Sequence, residues 1–146
     1  MKLKEAKCMF GKYTSKRINH EEYIQRDIAS YLNELMSLRK LLWCHVPNES
    51  GTKANIEWYC KRKRLGVKAG FPDLIILGKD HPIFIELKYN SNKTKDIDGM
   101  RLLSCKQLKW RDDLKEFGYN YYVVCVRCGF EGVNEVEKIL KEEGIL

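Results

Sequence analysis

The segment Lys68–Asn90 reads KAGFPDLIILGKDHPIFIELKYN. Its two apolar runs, DLIIL and PIFIELK, flank the turn residues GKDH, a pattern typical of two strands joined as a hairpin. Asp73, Glu86 and Lys88 stand among these apolar residues. A buried charge is costly unless it is paired or bound to a metal, so these three residues need a physical reason to be there.

A turn at Lys79 and Asp80 sets the register of this hairpin. Antiparallel pairing about that turn brings Asp73 opposite Glu86, with their Cβ atoms about 5 Å apart. Because side chains alternate between the two faces of a strand, Glu86 and Lys88 share a face. The pattern therefore predicts that two carboxylates and one amine converge.

Two close carboxylates raise each other's pKa unless a divalent cation and a nearby amine compensate their charge. Oxygen ligands favour Mg²⁺ or Mn²⁺, whereas zinc sites usually recruit His or Cys, and this hairpin offers only His81 at the wrong end. Such a metal beside a basic surface can activate a water for attack on a phosphate. The alternative is an ion-paired strand end, in which Lys88 simply neutralises Glu86 at a solvated rim.

The composition is that of one basic domain. The chain has 146 residues, 44% hydrophobic and 32% charged, enough to bury one core but too few for a second domain of usual size. We expect a loose basic segment at residues 1–18 and one domain at residues 19–146. Lys and Arg outnumber Asp and Glu by 27 to 20, and the excess is concentrated in the N-terminal segment and in KRKRLGVK, Lys61–Lys68. This favours a polyanionic partner, although charge alone does not establish one.

The first 30 residues lack the apolar run of a signal peptide, and no stretch approaches the roughly 20 apolar residues that cross a bilayer. We therefore expect an intracellular protein with no membrane partner. The six cysteines lack the spacing of a disulfide framework, and we expect reduced thiols, four of which sit within apolar segments where free cysteine packs as a small hydrophobe. Cys125 and Cys128 form a CxxC, but no second ligand pair completes a zinc site.

Hydrophobic periodicity along the chain predicts the order α, β, (α), β, β, α, β, α, which makes a mixed sheet flanked by helices the simplest architecture. Asn19 is a suitable N-cap for the first helix, and Gly66 and Gly118 are suitable left-handed ends for two later ones. Ser91–Gly99, SNKTKDIDG, is a polar loop beside the end of the hairpin.

Pro72, Asp73, Glu86 and Lys88, in FPD followed by ELK, resemble the PD-(D/E)XK nuclease motif. From about Glu21 to Cys125 the chain is also similar to the VRR-Nuc branch of that superfamily, closest to its small stand-alone viral and phage members. The segments that carry this similarity are EEYIQ, HVPNESG, GVKAGFPDLII, FIELK, LSCKQLKW and FGYNYYVV. The resemblance implies a restriction-endonuclease-like α/β (α+β) fold in a single domain, with a mixed β-sheet flanked by helices.

The same resemblance implies roles for individual residues. Asp73 and Glu86 would be metal ligands, the carbonyl of Leu87 a third, and Lys88 would orient the water or stabilise charge on the phosphorane. The family's helix carboxylate, a further metal ligand, falls on Glu21 or Glu22.

We prefer Glu21, because Gln25, Ile28 and Leu32 follow it on the core-facing side of the helix. The alternative is that the residue is a solvated first-turn acid that complements the helix dipole. A kink at the helix start could exchange Glu21 and Glu22.

Gln107 matches the catalytic glutamine in the family's S..Q..W helix. Its alternative is structural, since Ser104 and Gln107 form a capping box, and we expect that the glutamine cannot serve both purposes. Trp110 shares a helical face with Leu114 and Phe117, which predicts a core position.

Gly70 and Pro72 are expected to fix the turn into the first catalytic strand, where a phosphate can approach a backbone without a side chain. Phe71 departs from the family pattern, in which a small aliphatic residue is more usual.

These features together predict a Mg²⁺-dependent (or Mn²⁺-dependent) DNA endonuclease with no organic cofactor. Because the sequence has no base-reading motif, we expect the protein to recognise branched, flapped or junction DNA by shape. We also expect a two-fold homodimer. If viral, it would act in the host cytoplasm or nucleus. The residues expected to grip the DNA backbone are Lys61, Arg62, Lys63, Arg64 and Lys68.

Two alternatives remain open at the level of sequence. One is a nucleic-acid-binding protein without chemistry, in which the Asp/Glu/Lys cluster is structural. The other is a transferase or other metal-dependent enzyme acting on a small phosphate substrate, which the lack of a phosphate-cradling Gly-rich loop before a helix disfavours.

Overall fold

The computed structural model describes residues 19–47 and 56–146. The predicted N-terminal segment at residues 1–18 and the segment at residues 48–55, which includes the NESG of HVPNESG, therefore fall outside the described residues. The helices are α1 His20–Ser37, α2 Ile56–Arg64, α3 Cys105–Glu116 and α4 Gly129–Glu142, and a one-turn 3₁₀ helix spans Gly99–Leu102. The strands are β1 Leu42–His45, β2 Leu74–Leu77, β3 Pro82–Tyr89 and β4 Asn120–Val126.

The predicted order of helices and strands is confirmed, and the weakly predicted second helix is present. The 3₁₀ helix begins where the polar loop was expected to end, and its start is capped by Asp98, which accepts a hydrogen bond from the Met100 amide at 3.0 Å. No helix in residues 19–47 and 56–146 has the length and apolar character needed to cross a membrane.

The four strands form one mixed sheet in the order β1-β2-β3-β4. The first three are antiparallel, while β3 and β4 run parallel, joined by a crossover that contains α3. Leu74 pairs with Ile85 and Leu77 pairs with Pro82, which confirms the predicted register of the hairpin. Asp73 and Glu86 are thereby placed opposite each other at one end of a central strand pair.

Helices cover both faces of the sheet. On one face α1 and α4 pack over the larger core, which includes Ile83 and Ile85 of β3. On the other face a smaller cluster forms around Phe84 and Tyr121 with residues of α3, such as Leu114. Each fully buried Ile or Leu contributes about 1.5 to 3 kcal/mol, so the larger core is the main stabilising element.

The predicted helix ends are confirmed. The Asn19 side chain accepts a hydrogen bond from the Glu22 amide, and Gly66 and Gly118 adopt φ values of +92° and +84°. The prediction that Phe117 faces the core is wrong, because its side chain is 78% exposed. Phe117 lies just beyond the last residue of α3, where the chain turns away from the helical face and the periodicity no longer applies.

The packing expected for the cysteines is also wrong at most described positions. The five described cysteines are free thiols, and only Cys125 is partly buried. The other four lie on outer surfaces of their elements or at a helix end, where an apolar sequence neighbourhood does not imply burial. These four are Cys44, Cys60, Cys105 and Cys128.

Candidate active site

The charged residues of the hairpin meet where β2 begins and β3 approaches its end. Asp73 directly precedes β2, and the pairing of Leu74 with Ile85 places it opposite Glu86. The Leu87 amide donates a hydrogen bond of 2.8 Å to Asp73 Oδ2. Because Phe84 on the same face belongs to the α3 cluster, the carboxylates face α3.

Glu86 is the most deeply buried charged residue of this group, at 2% exposed. Its Oε1 atom lies 3.1 Å from Lys88 Nζ and accepts a hydrogen bond from the Gln107 side-chain amide. Its Oε2 atom is buried and has no hydrogen-bond partner among the described residues. One half of the carboxylate is therefore bound by donors, while the other half has an unmet need for positive charge or a donor.

The electrostatics of the pair reflect this burial. Burial, and next the charge of Asp73, raise the pKa of Glu86 to about 7, against the opposing effect of Lys88. Burial likewise raises the pKa of Asp73, opposed by the Leu87 amide and by Lys88. At neutral pH the protein itself does not fully compensate two negative charges here, and a divalent cation would do so.

Two backbone amides of β3, in the part of the strand that extends beyond β2, donate hydrogen bonds to carboxylates. The Leu87 amide reaches Asp73, and the Tyr89 amide donates to Glu21 Oε1 at 3.3 Å. The amide and carbonyl of one strand residue point toward the same neighbouring strand, so the Leu87 carbonyl is directed to the side occupied by Asp73. The use of that carbonyl as a metal ligand stays a prediction.

The two candidate helix carboxylates occupy different surroundings. Glu21 is exposed, yet it reaches the end of β3, and its charge contributes to raising the pKa of both Asp73 and Glu86. Glu22 instead forms an exposed ion pair of 3.3 Å with Arg26 on its own helix. Only Glu21 lies beside the carboxylate pair.

Gln107 makes two contacts that were expected to exclude each other, although a catalytic function for it stays a prediction. Its Oε1 atom accepts a hydrogen bond of 2.8 Å from the Ser104 amide, which completes the capping box. Its Nε2 group donates to Glu86. The expectation was wrong because the side-chain amide carries an acceptor and a donor at opposite ends, and each can serve a different partner.

The donor set fits Mg²⁺ or Mn²⁺ better than a softer metal. Within the described residues, no three His, Cys, Asp or Glu side chains converge tightly enough to form a complete protein cage. Mg²⁺ does not require one, since it usually retains several waters and binds one or two carboxylates. Asp73 and Glu86 supply two such carboxylates, and within the described residues the Glu86 Oε2 atom has no hydrogen-bond partner.

The architecture matches that of a solved structure, a protein named "VRR_NUC domain protein". The match has a TM-score of 0.57 and covers 86% of this chain and 92% of that chain, at 22% sequence identity. The chain has the VRR_NUC fold. No family model matches the sequence. No curated protein matches it either.

Within this VRR_NUC fold, Gly70 lets the chain approach α3 closely. Its φ is +80°, and an added Cβ would lie 2.7 Å from Lys106 Cβ and 3.0 Å from the Gln107 amide nitrogen. The positive φ fits the predicted turn, and the missing side chain also allows contact with the first turn of α3, which carries Gln107; approach of a phosphate stays a prediction. Next to it, Phe71 packs edge-on against Phe84 and Trp110.

The Trp110 side chain packs against the core, as predicted. It packs in the α3 cluster, and its indole N–H donates to the Ala69 carbonyl at 3.2 Å. Together with Gly70, this bond anchors the segment before β2 to α3.

The predicted DNA-binding residues lie on and just after α2. Lys61, Lys63, Arg64 and Lys68 are exposed, and no residue of α2 is buried. Arg62 differs, because its guanidinium donates to the Pro47 carbonyl and lies 4.5 Å from the Trp58 ring centroid. Arg62 therefore helps to attach α2 to the segment after β1.

Beside α2 lies an apolar pocket of about 430 Å³ with Arg62 and Lys68 in its lining. Trp110 and Phe71 form part of its wall.

Sequence reasoning missed two residues near the carboxylates. His45, at the end of β1, donates from Nδ1 to the Asp73 carbonyl at 3.0 Å, and its only sequence signal was its place in HVPNESG. Tyr121 on β4 packs in the cluster under α3, and the charges of Glu86 and Asp73 reach its hydroxyl. No local pattern distinguishes Tyr121 from an ordinary strand residue.

Proposed function

We propose that this chain is a Mg²⁺- or Mn²⁺-dependent DNA endonuclease that selects branched, flapped or junction DNA. The observation that carries the proposal is the pair of buried Glu86 and partly buried Asp73 beside Lys88, in which one Glu86 oxygen has no hydrogen-bond partner in the described part of the chain. The likeness to a VRR_NUC domain protein supports a nuclease over other uses of such a pair.

Asp73 and Glu86 would hold the cation, with the Leu87 carbonyl and Glu21 as the further ligands. When bound, the cation would neutralise charge on the phosphate oxygens and promote attack by water. Gln107 holds one oxygen of Glu86 and leaves the other free to bind. Lys88, held 3.1 Å from Glu86, would donate to the water or to the phosphorane oxygen that gains charge in the transition state.

The exposed cations of α2 would bind the DNA backbone, which supplies affinity without sequence preference. Shape selection follows because the described elements include no base-reading helix-turn-helix or zinc module. A two-fold homodimer would place two such centres on a branched substrate.

Replacing Lys61, Lys63, Arg64 and Lys68 with Ala is expected to weaken DNA binding. The slope of log affinity against log salt should also become shallower, by as much as about four, because each lost phosphate contact removes roughly one from that slope. Arg62 is retained because it attaches α2. Fluorescence anisotropy at several salt concentrations measures both effects.

A matched variant controls for the loss of net charge. It replaces four exposed lysines on other elements with Ala and should keep most of the slope. An equal slope change in both variants would show that α2 is not the DNA-binding element. The control positions are Lys79, Lys115, Lys138 and Lys141.

The proposed function is tested by incubating the protein with end-labelled linear, flapped and four-way DNAs in Mg²⁺, Mn²⁺ or EDTA. We expect cleavage with either metal, none in EDTA, and faster cleavage of branched substrates than of linear duplex. Tight binding of all substrates with no cleavage in any metal would instead support the non-catalytic nucleic-acid-binding alternative.

A further inference from the structure

Tyr121 carries a buried polar group that the fold does not use. The residue is 5% exposed, and its hydroxyl has no hydrogen-bond partner among the described residues. The next residue, Tyr122, differs, because its hydroxyl donates to Glu143. A buried hydroxyl without a partner costs about 1 to 3 kcal/mol, so its retention indicates a partner of another kind.

The strand register directs Tyr121 toward the carboxylate pair. Tyr121 pairs with Phe84 across the parallel β3–β4 ladder, and Glu86 is the next residue along β3 on the same face. Diagonal neighbours of this kind lie about 7 to 8 Å apart at Cβ, within reach of an aromatic and a long side chain. Burial and the charges of Glu86 and Asp73 raise the pKa of the Tyr121 hydroxyl, against the smaller effect of Arg111.

The unpartnered atoms at this place are chemically complementary. Lys88 and Gln107 both bind Glu86 at Oε1, and within residues 19–47 and 56–146 no donor reaches Oε2. In the same part of the chain the Tyr121 hydroxyl is a donor without an acceptor. Both atoms are buried and lie on the side of the sheet covered by α3.

Building on the proposed function, we propose that Tyr121 is a positioning residue of the active centre. Its hydroxyl donates, through one bridging water, to the Glu86 oxygen that Lys88 and Gln107 leave free. Glu86 is then held at both oxygens, in one orientation, and retains a lone pair on Oε2 for the cation. Carboxylates that bind metals are commonly fixed by such hydrogen bonds, and losing one costs about 10- to 100-fold in metal affinity or activity.

Tyr121→Phe removes only the hydroxyl and tests the proposal. Mn²⁺ affinity, measured by electron paramagnetic resonance without DNA, is expected to fall at least about tenfold, and the cleavage rate at fixed subsaturating Mn²⁺ by a similar factor. The melting temperature in EDTA should fall less than that of Tyr122→Phe, because only a water-mediated hydrogen bond is lost. If Tyr121 were purely structural, its replacement would lower the melting temperature and would not lower the Mn²⁺ affinity.

Tyr122→Phe is the matched control on the adjacent residue. It loses the bond to Glu143, so its melting temperature should fall while its Mn²⁺ affinity stays at the wild-type value. Wild-type Mn²⁺ affinity in Tyr121→Phe, or a melting temperature as low as that of Tyr122→Phe, would overturn the proposal for Tyr121 alone. A wild-type protein that neither binds Mn²⁺ nor cuts DNA would overturn the proposed function, and this inference with it.

Discussion

Replacing Lys88 with Met is expected to lower the DNA cleavage rate by roughly 10² to 10³ while DNA affinity stays near the wild-type value. A charge-assisted contact made mainly in the transition state is worth about 3 to 4 kcal/mol, and its loss affects turnover more than binding. The fold should survive, because Glu86 keeps its bond from Gln107 and can take up a proton near neutral pH. Single-turnover cleavage, DNA affinity and thermal melting on one preparation measure the three effects.

Lys141→Met provides the control, since Lys141 forms an exposed ion pair of 3.2 Å with Glu137 on α4, across the sheet from the carboxylates. It should cut DNA at the wild-type rate. If Lys88 is only a structural counter-ion, Lys88→Met should lower stability and leave the cleavage rate at low temperature unchanged. A Lys88→Met protein that melts much earlier but cuts normally at low temperature would contradict its assignment.

Replacing Glu86 with Gln should abolish most of the cleavage, by more than about 100-fold, and at the same time stabilise the metal-free protein. In the folded state the pKa of Glu86 rises from 4.5 to about 7, mainly through burial. A carboxyl whose folded-state pKa is raised contributes stability below pH 4.5, and that contribution is lost as the pH rises through about 7. Above pH 7 in EDTA the variant should therefore be more stable, by up to about 3 kcal/mol.

Urea unfolding in EDTA at several pH values between 4 and 8 tests this prediction. The stability difference between Glu86→Gln and wild type should grow with pH, and Asp73 remains in the variant as a counter-charge for Lys88. Glu137→Gln, at a partly exposed α4 position, should show no comparable trend. A Glu86→Gln protein that is less stable than wild type above pH 7 would mean that the ion pair with Lys88 outweighs the cost of burial.

The hairpin and its register were predictable because their signals are local. Turn residues between two apolar runs fix the pairing, and side-chain alternation then places Glu86 and Lys88 on one face. The helix caps at Asn19 and Gly66 follow from equally short-range rules.

Other features were not predictable because they depend on packing between distant segments. Gln107 reaches Glu86 only because Gly70 brings the start of α3 close to the strand pair. Tyr121 approaches the carboxylates through a parallel register that no turn defines, since a whole crossover separates β3 from β4. The attachment of α2 by Arg62 likewise depends on where the end of β1 lies.

The Asp73–Glu86 pair is proposed to hold a divalent cation, and the melting temperature with and without Mg²⁺ measures whether it does. At free Mg²⁺ about 100 times the Kd, binding contributes about 2.7 kcal/mol, a rise of roughly 5 to 10 °C for a chain of this size. The wild-type protein should show this rise, as should Asp113→Ala, which removes an exposed carboxylate on α3. Asp73→Asn, which retains an acceptor for the Leu87 amide but loses the charge, should show almost none. Equal rises in the wild-type protein and Asp73→Asn would contradict the claim, because the cation would then bind elsewhere.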